Sequence, residues 1–185
     1  MAKRSLAPST ALYPVPAVMV TCADAAGHTN IITLAWVGTV CSEPPMVSIS
    51  VRPARHSSPM IKETGEFVVN LPTVEQARAT DICGMYSGAK TDKWQQAGLT
   101  PAPAQKVKAP LIAECPVNLE CVVRNTLNLG THDMFIGEIV AVHADESVLD
   151  ARGELDPDKL RAFAFVGSDY RAIGEKVGSF GFSRR

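Results

Sequence analysis

The sequence predicts a mainly β protein, an antiparallel barrel carrying short helices on its outside. Three observations carry that expectation. Apolar residues alternate with a period of two, most clearly in MVSISVRP (46–53), where Val47, Ile49 and Val51 fall on one face and Met46, Ser48 and Ser50 on the other. Strand-like runs follow one another directly instead of alternating with helices, which argues against a doubly wound parallel sheet. The helical signals are short and few. With 185 residues, 46% of them hydrophobic and 20% charged, the chain suits one domain spanning 1–185 with a packed core.

The elements are expected in this order. AVMVTCAD (17–24) is β-like, and AAGH (25–28) is a turn. TNIITLAWVGTV (29–40) reads as one second strand, and SEPP (42–45) breaks the chain before the alternating strand 46–53. SSPMIKETG (57–65) predicts a short helix with Ser58 as N-cap, Pro59 at the first helical position and Gly65 closing it. EFVVNLP (66–72) is a strand. Thr73 with Gln76 three residues on is a capping-box pattern opening a helix whose buried stripe is expected at Val74, Ala77, Ile82 and Met85. YSGAKTDKW (86–94) is a loop leading into a helical turn, and LTPAPAQKVKAP (99–110), with three prolines, is a surface connector. PVNLECVVRN (116–125) places Val117, Leu119, Cys121 and Val123 on one face of a strand, MFIGEIVAVHAD (134–145) is a long β run, and DPDKLR (156–161) makes one helical turn.

Composition narrows the function classes. The net charge is −1 with no block of like charge, so a nucleic-acid surface is not indicated, although a local basic pocket is compatible with it. No apolar run approaches the roughly 20 residues of a spanning helix. Pro8, Pro14 and Pro16 interrupt the N-terminal apolar stretch, so the default expectation is a cytoplasmic protein without a signal peptide. Five cysteines without a C-x-x-C spacing suggest neither a disulfide framework nor a zinc site, and buried small apolar residues are the simpler account.

The chemistry concentrates at SVRPARHSSPMI (50–61). A strand end delivers Arg52 and Arg55 beside a helix N-terminus, with Ser57 and Ser58 adding hydroxyls. Guanidinium groups match phosphate oxygens in a bidentate way, and free helical N–H groups favour anions, so a phosphate site is a coherent reading. Surface arginines and a simple helix cap fit the same string. Neither G-x-G-x-x-G before a helix nor G-x-x-x-x-G-K-S/T occurs, so a nucleotide would be held another way. Trp36, with Thr33, Leu34 and Ala35, offers a strand edge and an indole to a planar heterocycle, or is a core tryptophan. Lys90, Lys93 and Trp94 in GAKTDKW could meet an anion or form a solvated loop. His132, beside Asp133, could orient a substrate, carry a proton or simply be exposed. No serine or cysteine stands at triad spacing from it, which leaves hydrolase chemistry without support.

Taken together, NIITLAWVGTVCSEPPMVSISVRPARHSSPMIKETGEFVVNLP, GAKTDKW, THDMFIGEIV and YRAIGEKVGSFG resemble, in order, the flavin reductase-like family of FMN-binding split barrels, in its flavoredoxin-like branch. The resemblance implies a six-stranded antiparallel split barrel and a homodimer with FMN sites near the subunit interface. It implies that Arg52, Arg55, Ser57 and Ser58 hold the phosphate and ribityl groups, that Thr33, Leu34, Ala35 and Trp36 line the isoalloxazine, and that Ser48 and Ser50 lie on the strand beneath. Lys90, Lys93 and Trp94 would close the site, from the same subunit or its partner. His132 corresponds to the histidine lying by the nicotinamide in the reductases, whose stretch reads G-D-H-x-x-F-x-G-E; here Thr131 precedes it. The implied activity is an NAD(P)H-dependent FMN reductase. The alternative is an electron-transfer protein with tightly bound FMN and a redox-protein partner. A barrel for another ligand, such as haem, or a pyridoxamine-phosphate-oxidase-like enzyme is a third reading.

Overall fold

The computed structural model describes residues 1–184, of which residues 1–13 form no regular secondary structure. The first half holds strands β1 (Val15–Pro16), β2 (Val18–Ala23), β3 (Thr29–Leu34), β4 (Val37–Ser42) and β5 (Pro45–Val51), then helix α1 (Ser57–Thr64) and strand β6 (Glu66–Leu71). A 3-10 turn at Val74–Gln76 runs into α2 (Ala77–Met85), followed by α3 (Lys93–Ala97) and the short strands β7 (Pro101–Ala102) and β8 (Leu111–Ile112). Two long strands, β9 (Val117–Asn128) and β10 (Asp133–Ala144), precede α4 (Pro157–Leu160), β11 (Phe163–Val166) and β12 (Asp169–Ala172).

Seven strands form one antiparallel sheet in the order β3-β2-β6-β9-β10-β5-β4. The two ends of that order, β3 and β4, are consecutive in the chain and joined only by Ala35 and Trp36. Two residues cannot span an open seven-stranded sheet with strands about 4.8 Å apart. The sheet therefore curls until its edges meet at this corner without pairing, giving a split barrel. Strand 29–40, expected as one element, is thus two, and the expected six strands become seven. The break is the price of closure: a straight strand through residues 35 and 36 would leave both edges unjoined.

Three apolar clusters hold the barrel. Inside it, Val18, Val20, Ile32, Leu34, Val47, Ile49, Val51, Phe67, Cys121 and Phe135 pack together with Met60 and Ile61 of α1. Alternate residues of the same strands face outward, where Met19 and Ile31 meet Ala79 and Cys83 of α2. Over β6, Val68 is covered by Val107, Ala109 and Leu111 of the proline-rich connector. The carboxylate of Glu120, fully buried on β9, pins that connector by accepting the backbone N–H groups of Gln105 (2.8 Å), Lys106 (2.6 Å) and Val107 (3.0 Å), and lies 2.5 Å from His143 Nε2.

The helix signals hold in part. The capping box at Thr73 and Gln76 forms, and Gly65 closes α1 in the left-handed region, its N–H bonded to Ile61 O. Ser58 is not the N-cap. Consecutive turns, Arg55 N–H to Arg52 O and Ser58 N–H to Arg55 O (both 2.9 Å), start α1 earlier, so that His56 holds the cap position and Ser57 is the first helical residue. Pro59 consequently sits third in the helix, where its missing N–H is still one that has no helical partner. The stripe of α2 is also shifted: Ala79, Thr80 and Cys83 are buried and Met85 is 71% exposed. The preceding 3-10 turn winds three residues per turn and changes the phase of the helix that follows. Four cysteines are buried and Cys41 is half-buried; all five are free.

Candidate functional site

Strand register builds one wall of the site. Asp133 pairs with Val51 and Met134 with Ser50, so one step further His132 stands opposite Arg52. On the other side of β5, Val37 pairs with Ile49, and Trp36 O accepts the N–H of Ser50 (3.0 Å). Ile49, Val51 and Phe135 point into the barrel. Alternation therefore turns Trp36, Ser50, Arg52 and His132 outward, on one face of three neighbouring strands. The rings of Trp36 and His132 lie 4.4 Å apart at 44°. Thr131 Oγ1 is 2.9 Å from His132 Nδ1. Burial and the Arg52 charge both disfavour the imidazolium, holding His132 below its ordinary pKa.

The second wall is polar and buried. Asn30 of β3, 5% exposed, donates from Nδ2 to Ser57 Oγ at 2.7 Å, tying the strand to the start of α1. Lys93, also 5% exposed, donates to Ile31 O (2.7 Å) and Cys83 O (2.8 Å). Burial first, and Arg55 as a neighbouring like charge, lower its pKa. β3 ends the sheet, so one of its edges has no strand partner. Ile31 O faces that edge, since Lys93 reaches it, and by alternation the N–H and C=O of Thr33 face it too. Thr33 Oγ1 donates to Thr80 O, fixing α2 beside the edge.

These walls enclose a cleft of about 230 Å³. Among the residues expected at a site, Thr33, Leu34, Ala35 and Trp36 line it from the β3–β4 corner, and Ser50, Arg52, Arg55 and Ser57 from the strand end and α1. Lys93 and His132 complete that set. Ser48, Ser58, Lys90 and Trp94 do not line it. Ser48 Oγ bonds Gly38 O (3.3 Å), and Trp94 Nε1 donates to Thr29 Oγ1 (3.0 Å) while its ring packs on the α2 cluster. Ser58 is buried with no partner for its hydroxyl among the described residues, and Lys90 is exposed.

Sequence reasoning missed Asn30, Ala54, His56, Gly84, Tyr86, Ser87 and Gly88, which also line the cleft. Asn30 had a signal, an amide inside an otherwise apolar strand run. Gly88 had none: a Cβ there would stand 2.0 Å from Asn30 Oδ1, a close approach that only the folded chain creates.

The donor set fits a planar heterocycle bearing a phosphate. Guanidinium, ammonium and hydroxyl groups gather at one end, and a free strand edge and an indole lie along the rest. Among the described residues no cluster of His, Cys, Asp and Glu suits a metal ion, and no helix is long and apolar enough to cross a membrane.

Comparison with known proteins agrees with this geometry. Residues 10–173 match the model of the flavin reductase like domain. An uncharacterised protein of Archaeoglobus fulgidus is 33% identical over 145 residues, covering 78% of this chain and 81% of that protein. The flavoredoxin of Desulfovibrio vulgaris (Miyazaki F) superposes with a TM-score of 0.92 at 34% identity over the full length of both chains. A flavoredoxin from Methanosarcina acetivorans superposes at 0.89 with 30% identity, covering 98% and 97% of the two chains. Cleft, split barrel and sequence together make this chain a member of the flavin reductase-like family, in its flavoredoxin branch.

Proposed function

We propose that the protein binds FMN in this cleft and works as an NAD(P)H-dependent flavin reductase. The observation that carries the reading is the juxtaposition of Arg55, Ser57 and Lys93 with the unpaired edge of β3 and the Trp36 ring in one cleft. Bound FMN would supply the redox chemistry, taking a hydride from the reduced nicotinamide. The chain supplies binding and orientation. Arg55 and Ser57 receive the phosphate, with Asn30 holding the Ser57 hydroxyl in place. Lys93 spends two of its three N–H donors on Ile31 O and Cys83 O, which leaves one for the ligand. The Thr33 backbone edge and Trp36 receive the ring system. His132, kept neutral near pH 7, positions the donor's carboxamide by hydrogen bonding, and alignment of the two rings provides most of the rate. We read the protein as a homodimer, which would cover Val40, Leu127 and Val142, exposed on β4, β9 and β10.

The test compares two flavins. A charge-assisted hydrogen bond contributes about 1.5–3 kcal/mol, so Arg55→Ala with Ser57→Ala should weaken FMN binding at least roughly tenfold and leave riboflavin, which lacks the phosphate, within about twofold. Equal loss for both flavins would remove the phosphate role. Anaerobic addition of NADH and NADPH to the FMN-loaded protein then decides the activity: bleaching over multiple turnovers supports the reductase. The flavoredoxin likeness favours a second reading, an electron carrier with tightly held FMN, which is selected if only a protein donor reduces it.

A further inference from the structure

Besides Lys93, two arginines, Arg52 and Arg55, line the cleft, and FMN has one phosphate. Register places Arg52 at the strand end, opposite His132 and on the outward face shared with Trp36 and Ser50. The turn closed by Arg55 N–H to Arg52 O then carries the chain to Arg55, at the approach to α1 and to the Asn30–Ser57 pair. We propose that Arg52 lies outside the flavin phosphate site and forms a second anion subsite, which receives the pyrophosphate of the nicotinamide dinucleotide. The inference rests on the FMN reading of the same cleft.

Three features support the separation. The charges partition: the like charge acting on Lys93 is Arg55, whereas the one acting on His132 is Arg52. Neither arginine forms an ion pair among the described residues. The acidic residue nearest Arg52 in register, beside His132, is Asp133. It is turned into the barrel and held by Lys62 Nζ (2.6 Å) and Asn128 Nδ2 (2.8 Å), so it does not neutralise the guanidinium. Arg52 thus keeps a free planar fork, the geometry suited to a pyrophosphate, next to an aromatic pair suited to a flat ring. His132 is uncharged and adds no second cation, which makes Arg52 the specificity-determining residue at this end.

The experiment titrates inorganic pyrophosphate into the protein with and without FMN, by calorimetry, for the wild type, Arg52→Ala and Arg55→Ala. Two pyrophosphate sites are expected without FMN and one with it. Arg52→Ala should lose the site that FMN does not block, and Arg55→Ala the site that it does. FMN affinity should fall about tenfold or more in Arg55→Ala and stay within about twofold in Arg52→Ala. In turnover, Arg52→Ala should raise the KM for NADH, relative to that for an uncharged dihydronicotinamide, by about tenfold or more. A single pyrophosphate site that FMN blocks, or equal loss of FMN affinity in both variants, overturns the proposal while the FMN reading stands. A protein that takes up no FMN overturns that reading, yet two pyrophosphate sites lost separately in the two variants would still uphold the two subsites. Loss of the Arg52 site with an unchanged KM ratio overturns the assignment to the dinucleotide.

Discussion

Gly88→Ala tests the hinge of the site, the contact between the α2–α3 loop and β3. An ideal Cβ at residue 88 would stand 2.0 Å from Asn30 Oδ1 and 2.6 Å from its Cγ, so the carboxamide must move. Moving it breaks the 2.7 Å bond from Asn30 Nδ2 to Ser57 Oγ, and the Ser57 side chain is fully buried. The lost bond is worth about 1 kcal/mol, and a buried polar group left without a partner adds about 1–3 kcal/mol. Gly88→Ala should therefore destabilise the protein by about 2–4 kcal/mol. Asn30→Ala removes the same bond and should cost a similar amount. In the double variant the new methyl occupies space vacated by the carboxamide, so the second substitution should add almost nothing. The coupling energy is then about 2 kcal/mol, several times the ~0.3–0.5 kcal/mol scatter of independent sites. Urea unfolding of the four proteins measures it. Additive losses, or a Gly88→Ala midpoint equal to that of the wild type, would show that residue 88 does not press on Asn30 and that the loop does not hold the Ser57 hydroxyl.

Two further outcomes follow from the charges of Glu120 and Arg52. Burial alone would raise the Glu120 pKa, but its bonds from Gln105, His143, Lys106 and Val107 outweigh it and the net shift is downward from 4.5. Its stabilising contribution is complete above that ordinary value and is lost as pH falls through the lowered one. Glu120→Gln should cost at least about 1.5 kcal/mol at pH 7 and flatten the acid limb of the urea midpoint against pH; an unchanged limb would refute the assignment. The His132 imidazole should titrate below 6.5, and removing the Arg52 charge should move it upward. Ring-proton NMR of wild type and Arg52→Ala reads both values, and an unmoved pKa would mean that Arg52 does not sit by His132.

Local signals carried most of the elements. Period-two alternation marked β5 because one of its faces is buried, and the capping box and Gly65 marked helix ends because they satisfy backbone groups nearby in the chain. The segment 50–57 announced its chemistry for the same reason: arginine, serine and a helix start are adjacent in sequence. Lys93 and Trp94 show the limit. They are neighbours in one motif, yet the helical turn sends Lys93 into the cleft and Trp94 to Thr29 on a different face. Neither destination follows from composition, since both are set by what α3 packs against.

By itself, then, the sequence determined a strand-rich barrel, the anion-seeking segment and the flavin reductase-like family, all properties of contiguous residues and their order. Only the tertiary structure decided the corner at Ala35–Trp36, because closing the sheet is a condition on seven strands at once. It also decided that Asn30 and Gly88 meet at the site and that Arg52 faces His132 while Arg55 neighbours Lys93. Those pairings join residues far apart in the chain, and strand register and helix packing, the long-range terms of the fold, are what bring them together.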